Sequence, residues 1–243
     1  FLNPMLLSII VPVHNEAKTL GEVLRRLFAL SLGETEKEII VVNDGSTDAT
    51  RPALAPFLSR VVYLEHQSRR GKGAAIRAAL PRATGELVVV QDGDTEYAPE
   101  EIPALLAALR AHPEWAAVYG SRNLARTGRG YSRYILGAWF LTALVNLFFR
   151  SKLTDSYTCY KLIRAAALKD LALAGTGFEI EMELTAKLLK RGLGIGEIPI
   201  SYRPRSFREG KKIRARDGIR GLVVLFRVWR ERAGALSSGE PRV

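Results

Sequence analysis

Residues 86–97 read ELVVVQDGDTEY, and the way this stretch ends decides how the whole chain is read. Leu87 to Val90 form a continuous apolar run, as in a strand buried on both faces of a parallel sheet. The run passes directly into Asp92, Asp94 and Glu96, three carboxylates within five positions that repel one another unless something positive lies among them. Residues two apart on a strand share a face, and Gly93 lets the chain bend as it leaves the sheet. Asp92 and Asp94 are therefore expected to reach one hard cation, Mg²⁺ or Mn²⁺, through oxygen ligands, with Glu96 as a third. The competing reading is an acidic turn capping the next helix, and Asp-Gly-Asp alone does not separate the two.

The surroundings favour the cation. LLSIIVPV, KEIIVV, RVVYLEH and WAAVYGS are further apolar runs of strand length. Between them lie helical patterns: AKTLGEVLRRLFAL keeps Leu20, Val23, Leu24, Leu27 and Phe28 at helical spacing, and GKGAAIRAAL and PEEIPALLAALRAH follow suit, the last with proline at its start. Asp48 or Thr47 is the expected cap in NDGSTDAT. Strands alternating with helices predict an α/β fold with a mostly parallel central sheet flanked by helices. Ligands of such sheets bind beyond the carboxyl ends of the strands. Those ends are polar here, with Pro12, His14, Asn15 and Glu16 after the first run and Asp44 and Asp48 after the second.

The second half differs. RYILGAWFLTALVNLFFR, FEIEMELTAKLLKRG and DGIRGLVVLFRVWRER are expected helices and GIGEIPISY a strand, with a loose tail at 234–243. The longest apolar stretch, YILGAWFLTALVNLFF, is 16 residues, short of the roughly 18–20 of a simple membrane span. MLLSIIVPV lacks the basic leader and small-residue cleavage site of a signal peptide and is expected to be the first strand.

The 243 residues carry a formal charge of +11, which favours anionic partners such as nucleic acid, lipid surfaces or phosphorylated substrates. That charge is uneven. Residues 115–154 hold six Lys/Arg and no acid, and residues 201–243 hold twelve Lys/Arg against four acids. A composition of 47% apolar and 25% charged residues is that of a globular chain. The one cysteine, Cys159, has no internal disulfide partner, as suits a reducing cytosol. His14, His66 and His112 show no metal-ligand spacing with it, so a zinc site is not expected. RRGKGAAIRAAL sets glycines and Lys72 before a helix, a candidate phosphate contact, but lacks the full P-loop pattern.

SIIVPVHNE, EIIVVNDGSTDAT, GKGAAIRAAL, VVVQDGDTEYAPEE, VYGSR, TDSYTCYKLIR, GFEIEMELTAKL and EIPISYRPRSFREGKKIRARDGI together resemble glycosyltransferase family 2. The nearest likeness is to its dolichyl- and polyprenyl-phosphate sugar synthases. The resemblance covers roughly residues 6–222 and implies one GT-A domain over 5–233, a nucleotide-sugar donor and a divalent cation. Carried over position by position, Pro12, His14, Glu16, Asp44, Lys72, Asp92 and Gly93 bind the donor, with Asp44 reading the base. Asp92, Asp94 and Glu96 hold the cation across the diphosphate. Arg205 and Lys212 clamp the leaving diphosphate or the acceptor phosphate. Asn43 and Gly93 depart from frequent residues of the family, and His14 stands where an aromatic residue is common.

The implied reaction is a single inverting displacement that moves a hexose from GDP-mannose or UDP-glucose to a polyprenyl or dolichyl phosphate. A lipid phosphate is ionised near pH 7 and needs positioning more than a base; Arg122, Arg126, Arg129 and Arg133 are the candidates for that task. A hydroxyl acceptor would need a carboxylate base, for which Asp155, Glu179 and Glu181 are available. The apolar segment near 134–149 and GLVVLFRVW, with their basic flanks, fit interfacial helices, so the expected location is the cytoplasmic face of a membrane. Two alternatives remain: a nucleic-acid-binding module, suggested by charge alone but without a helix-turn-helix or aromatic-basic interleaving, and a sugar nucleotidyltransferase, for which VPVHNE offers no glycine-rich loop with a basic residue.

Overall fold

In a computed structural model the described residues are 5–125, 132–205, 210, 212 and 215–231. The strands among them are β1 (Leu6–Val13), β2 (Glu36–Asp44), β3 (Val62–His66), β4 (Leu87–Val90), β5 (Trp115–Ser121), β6 (Lys161–Arg164) and β7 (Gly194–Pro199). They form one sheet in the order β3-β2-β1-β4-β6-β5-β7. All pairings are parallel except those of β6, which runs antiparallel to both β4 and β5. The mostly parallel sheet is as expected, but β6 is an addition: KLIR has no strand-length apolar run, and its neighbours lie far away in sequence.

The helices are α1 (Leu20–Ala29), α2 (Thr50–Leu54), α3 (Lys72–Ala79), α4 (Ile102–Ala111), α5 (Ser132–Phe149), α6 (Ala165–Leu168), α7 (Ile180–Lys190) and α8 (Ala215–Arg230). The sheet is covered on both faces, which is why β1 reads as an unbroken apolar run. Leu7, Ile9, Val11 and Val13 pack with Leu20, Leu24 and Leu27 of α1 and Leu105 and Leu109 of α4. Ile10 faces the other way, with Ile40, Val42, Val88, and Ala75, Ile76 and Ala79 of α3. Each such fully buried aliphatic side chain contributes about 1.5–3 kcal/mol by leaving water. A separate cluster joins α5, α7 and α8 through Leu141, Val145, Met182, Ala186, Leu225 and Val228.

These directions define one working edge. β1, β2, β4, β5 and β7 deliver the residues that follow them, while the reversed β6 delivers those that precede it, from Asp155 to Tyr160. Gly93 sits at this edge for want of space: a Cβ there would lie 2.5 Å from Val13 Cγ1. Gly93 therefore lets β4 pass close beside β1, rather than supplying a left-handed turn.

Candidate active site

The carboxyl edge gathers the acids that the sequence places at separate strand ends. Glu16, after β1, accepts hydrogen bonds from Arg205 Nη1 (2.9 Å) and Nη2 (3.2 Å). Arg205 also pairs with Asp94, and Lys212 contacts both the Glu16 carboxylate and the His14 carbonyl. Arg205 thus stands among Glu16, Asp94 and Glu96, the last at 3.6 Å. Asp94 is almost enclosed. Burial, followed by the charges of Asp92 and Glu96, pushes its carboxyl up to about 7 against the pull of Arg205. The β4 end carries more negative charge than its surroundings comfortably hold.

The three expected cation ligands do different things. Asp92 Oδ1 pairs with Lys72 Nζ at 2.6 Å. Glu96 Oε2 accepts from the Tyr202 hydroxyl at 2.7 Å and Oε1 from the Arg205 backbone N–H at 2.8 Å. Glu96 therefore ties down the segment after β7, and among the described residues no three His, Cys, Asp or Glu side chains are grouped to hold a metal ion. Asp94 Oδ1 accepts from the Glu96 backbone N–H at 3.0 Å and Oδ2 pairs with Arg205, so Asp92 and Asp94 form a pair of hard oxygen donors once Arg205 is drawn away. Mg²⁺ and Mn²⁺ commonly take such a pair together with substrate phosphates, so the donor set fits a divalent cation.

The remaining donor-side residues also have internal partners. Asp44 accepts from the backbone N–H groups of Arg70 (2.8 Å) and Gly71 (2.7 Å) and contacts His66 Nδ1 at 2.8 Å. Its carboxylate thus shapes the turn into α3. Gly71 has φ +103°, and a Cβ there would meet Thr176 O at 2.4 Å. His14 Nδ1 lies 2.8 Å from Asp44 O, and burial holds its imidazole below the usual histidine range. Pro12 is buried within β1. Asp48, one of the two expected caps, accepts from the Thr50 N–H at 2.9 Å, but Ala49 occupies the N-cap position of α2.

Asp155, one of the carboxylates expected as a base for a hydroxyl acceptor, lies deep in the same edge. Asp155, 1% exposed, takes Arg122 at two points: Nε to Oδ2 at 2.7 Å and Nη2 to Oδ1 at 2.8 Å. Both of its oxygens face that guanidinium, which fixes the orientation of Arg122. The Arg122 guanidinium lies 5.2 Å over the Tyr202 ring, which packs 5.0 Å from Tyr97. Glu197 of β7 completes the support by accepting from the backbone N–H groups of Thr154 (2.7 Å) and Asp155 (2.9 Å).

Glu179 Oε1 accepts from the N–H groups of Thr176 and Gly177 while its Oε2 is buried without a hydrogen-bond partner, and Glu181 is paired with two lysines. Arg126 and Arg129 lie outside the described residues, as do the side chain of Arg133 and the tail at 234–243. Tyr202, Glu197 and Lys161 escape the sequence reading. A lone lysine inside YKLIR, two residues after Cys159, was the available signal for the last.

Beside this edge α5 and α8 expose apolar side chains. Trp139, Phe140 and Leu147 on α5 are 62%, 53% and 70% exposed. Ile219, Val223, Phe226 and Trp229 follow helical spacing on α8 and are all exposed. Phe148 bridges the two helices, its ring 5.1 Å from both Phe226 and Trp229. Exposed Arg216, Arg220, Arg227 and Arg230 flank the patch. No helix among the described residues is long and apolar enough to cross a membrane.

Comparison with known proteins adds three findings. The model of glycosyl transferase family 2 matches residues 8–172. Dodecaprenyl-phosphate galacturonate synthase of Rhizobium johnstonii is 29% identical over 174 residues, which are 70% of this chain and 51% of that protein. The chain thus spans about half the length of that curated relative. Glucosyl-3-phosphoglycerate synthase of Mycobacterium tuberculosis, solved with Mn²⁺, UDP and glucosyl-3-phosphoglycerate, superposes with a TM-score of 0.73. Identity is 21% over 92% of this chain and 80% of that one. The same enzyme with Mg²⁺ and UDP gives 0.72 at 21% identity, over 92% and 79%. The shared architecture is the GT-A fold.

Proposed function

The chain belongs to glycosyl transferase family 2, and from that premise we propose that it moves a hexose, with inversion, from a nucleoside-diphosphate sugar to a polyprenyl phosphate at a membrane surface. The observation that carries the acceptor class is the fate of the carboxylates on the acceptor side. Asp155 and Glu181 are committed to ion pairs and Glu179 Oε1 to backbone N–H groups, while Arg122 is held ready by Asp155. A hydroxyl acceptor needs a base. A phosphate is its own nucleophile and needs a positioned cation, a role that suits a guanidinium fixed at two points. The relative from Rhizobium johnstonii, by its name a dodecaprenyl-phosphate sugar synthase, supports the same class.

In this reading the donor lies across the ends of β1, β2 and β4. Asp92 and Asp94 would hold a divalent cation, which when bound supplies charge neutralisation at the diphosphate. Arg205 and Lys212, now paired with Glu16 and Asp94, are close enough to exchange those acids for the leaving diphosphate. Glu96 and Tyr202 keep the 202–205 segment against the site. The donor sugar is glucose or mannose as first choice, with galacturonate added by the relative.

The apolar, arginine-flanked face of α5 and α8 supports docking on an anionic bilayer, where a polyprenyl phosphate resides. The test is a donor screen with UDP- and GDP-sugars, Mn²⁺ or Mg²⁺, and polyprenyl phosphate. Glycosylated lipid phosphate is the expected product. Transfer to sugar hydroxyls alone would overturn the acceptor reading.

A further inference from the structure

Four charges of alternating sign run inward from the donor site. Asp92 pairs with Lys72, Lys72 Nζ lies 3.4 Å from Glu181 Oε1, and Glu181 Oε2 lies 2.9 Å from Lys161 Nζ. Lys161 also donates to the Glu181 main-chain oxygen at 2.8 Å and sits 4.9 Å from the Tyr119 ring centroid. The Lys72, Glu181 and Lys161 side chains are 8%, 4% and 2% exposed. A cavity of about 20 Å³ lies alongside, lined by Cys159, Lys161 and Glu181 among apolar neighbours.

Burying such a chain is costly. Each ion loses several kcal/mol of hydration, and apolar side chains of similar volume often serve structure as well or better. Lys72 is also the first residue of α3, where the helix dipole disfavours a cation. Glu181, by contrast, lies in the first turn of α7, where the dipole favours a carboxylate. The arrangement holds the Lys72 ammonium in one place, beside Asp92 Oδ1. Asp92 Oδ2 has no hydrogen-bond partner among the described residues.

We propose that Glu181 and Lys161 are positioning residues of the donor site, holding Lys72 so that Asp92 offers its second oxygen to the cation–diphosphate complex. This rests on the donor reading above. Glu181 also offsets the positive charge of Lys72, which would otherwise compete with a divalent cation for Asp92. The role differs from that of a base, because both Glu181 oxygens face lysines inside the protein.

The experiment measures UDP and GDP binding with and without Mn²⁺ by calorimetry, with thermal melts and donor kinetics beside it. Glu181→Gln should weaken Mn²⁺-dependent nucleotide binding roughly tenfold, the scale on which outer partners of a metal ligand act. Donor KM should rise more than kcat falls, and Glu181→Asp should recover part of the affinity. The double variant Glu181→Gln/Lys161→Met removes the uncompensated lysine and should regain melting temperature without regaining affinity. Affinity that returns in step with stability would overturn the proposal in favour of a purely structural pair. Unchanged affinity with a collapsed kcat would overturn it in favour of a base. If the unmodified protein binds neither nucleotide with Mn²⁺, the donor reading fails first and takes this inference with it.

Discussion

Asp155 and Arg122 meet at two points, 2.7 and 2.8 Å apart, at the junction where the reversed β6 approaches the end of β5. Arg122 gains from this a fixed orientation that an exposed arginine lacks. Asp155→Asn should therefore raise acceptor KM about tenfold or more, as loss of one charge-assisted bond of about 1.5–3 kcal/mol implies. UDP and GDP binding should stay unchanged. A fall in kcat alone, with a shifted pH profile, would instead make Asp155 the base.

Asp94 and Glu96 are two positions apart but differently employed. Asp94→Ala should abolish Mn²⁺-dependent nucleotide binding, because it removes one of the two available oxygen donors. Glu96→Gln keeps one acceptor oxygen, for the Arg205 N–H, and its amide can donate to the Tyr202 hydroxyl, so it should lose far less. Calorimetry on both variants decides the matter; equal losses would place Glu96 on the cation.

The α5–α8 face can be tested apart from the chemistry. Replacing exposed Trp139, Phe140, Leu147 and Val223 with serine should remove most binding to phosphatidylglycerol vesicles and leave the melting temperature nearly unchanged. Binding by the unmodified protein should also weaken with added salt, since the arginines act through screened charge. Vesicle flotation that is insensitive to these substitutions would sink the docking surface.

Cys159 offers a pH-linked test. Burial pushes its thiol up, and Asp92 and Glu181 add to the effect against the opposition of Lys72. The thiol therefore stays protonated at neutral and mildly alkaline pH, and the thiolate is the reactive form. Labelling with a disulfide reagent at pH 8 should be much slower in the native protein than in urea. Equal rates would show that the Lys72–Glu181 region is open to solvent.

Gly71 has φ +103° and its absent Cβ faces Thr176 O. Gly71→Ala should cost more than about 1 kcal/mol, since both backbone conformation and space are against it. A melt unchanged by the substitution would mean that the turn from Asp44 into α3 relaxes easily.

Much of this molecule is legible in the sequence because its strands are unbroken apolar runs that end in acids. β1, β2 and β4 carry their own signal, and the parallel order follows from the helices between them. β6 is different. Its four residues include two charges, and its register is set by Leu87–Val89 of β4, more than seventy positions earlier. The partner of Asp155 is hidden for a related reason. A carboxylate near a strand end looks like a base until its partner is known, and Arg122 is 33 positions away. Glu96 illustrates the same limit: spacing places it beside Asp94, but Tyr202 and Arg205 claim its oxygens.

The sheet order also divides the chain into exchangeable parts. Residues from Pro12 to Asp94 build the donor edge, while those from Arg122 onward build the acceptor edge and the α5–α8 face. The seam between them is the connection from β4 to β5. A chimera joined there would take its acceptor from one parent and its donor from the other. Three sets of ion pairs cross the seam, Lys72 to Glu181, Arg205 to Glu16 and Asp94, and Lys212 to Glu16, beside the pairing of β4 with β6. Recombination that respects these pairs should yield hybrid enzymes, and recombination that splits them should yield folded proteins with a misaligned donor.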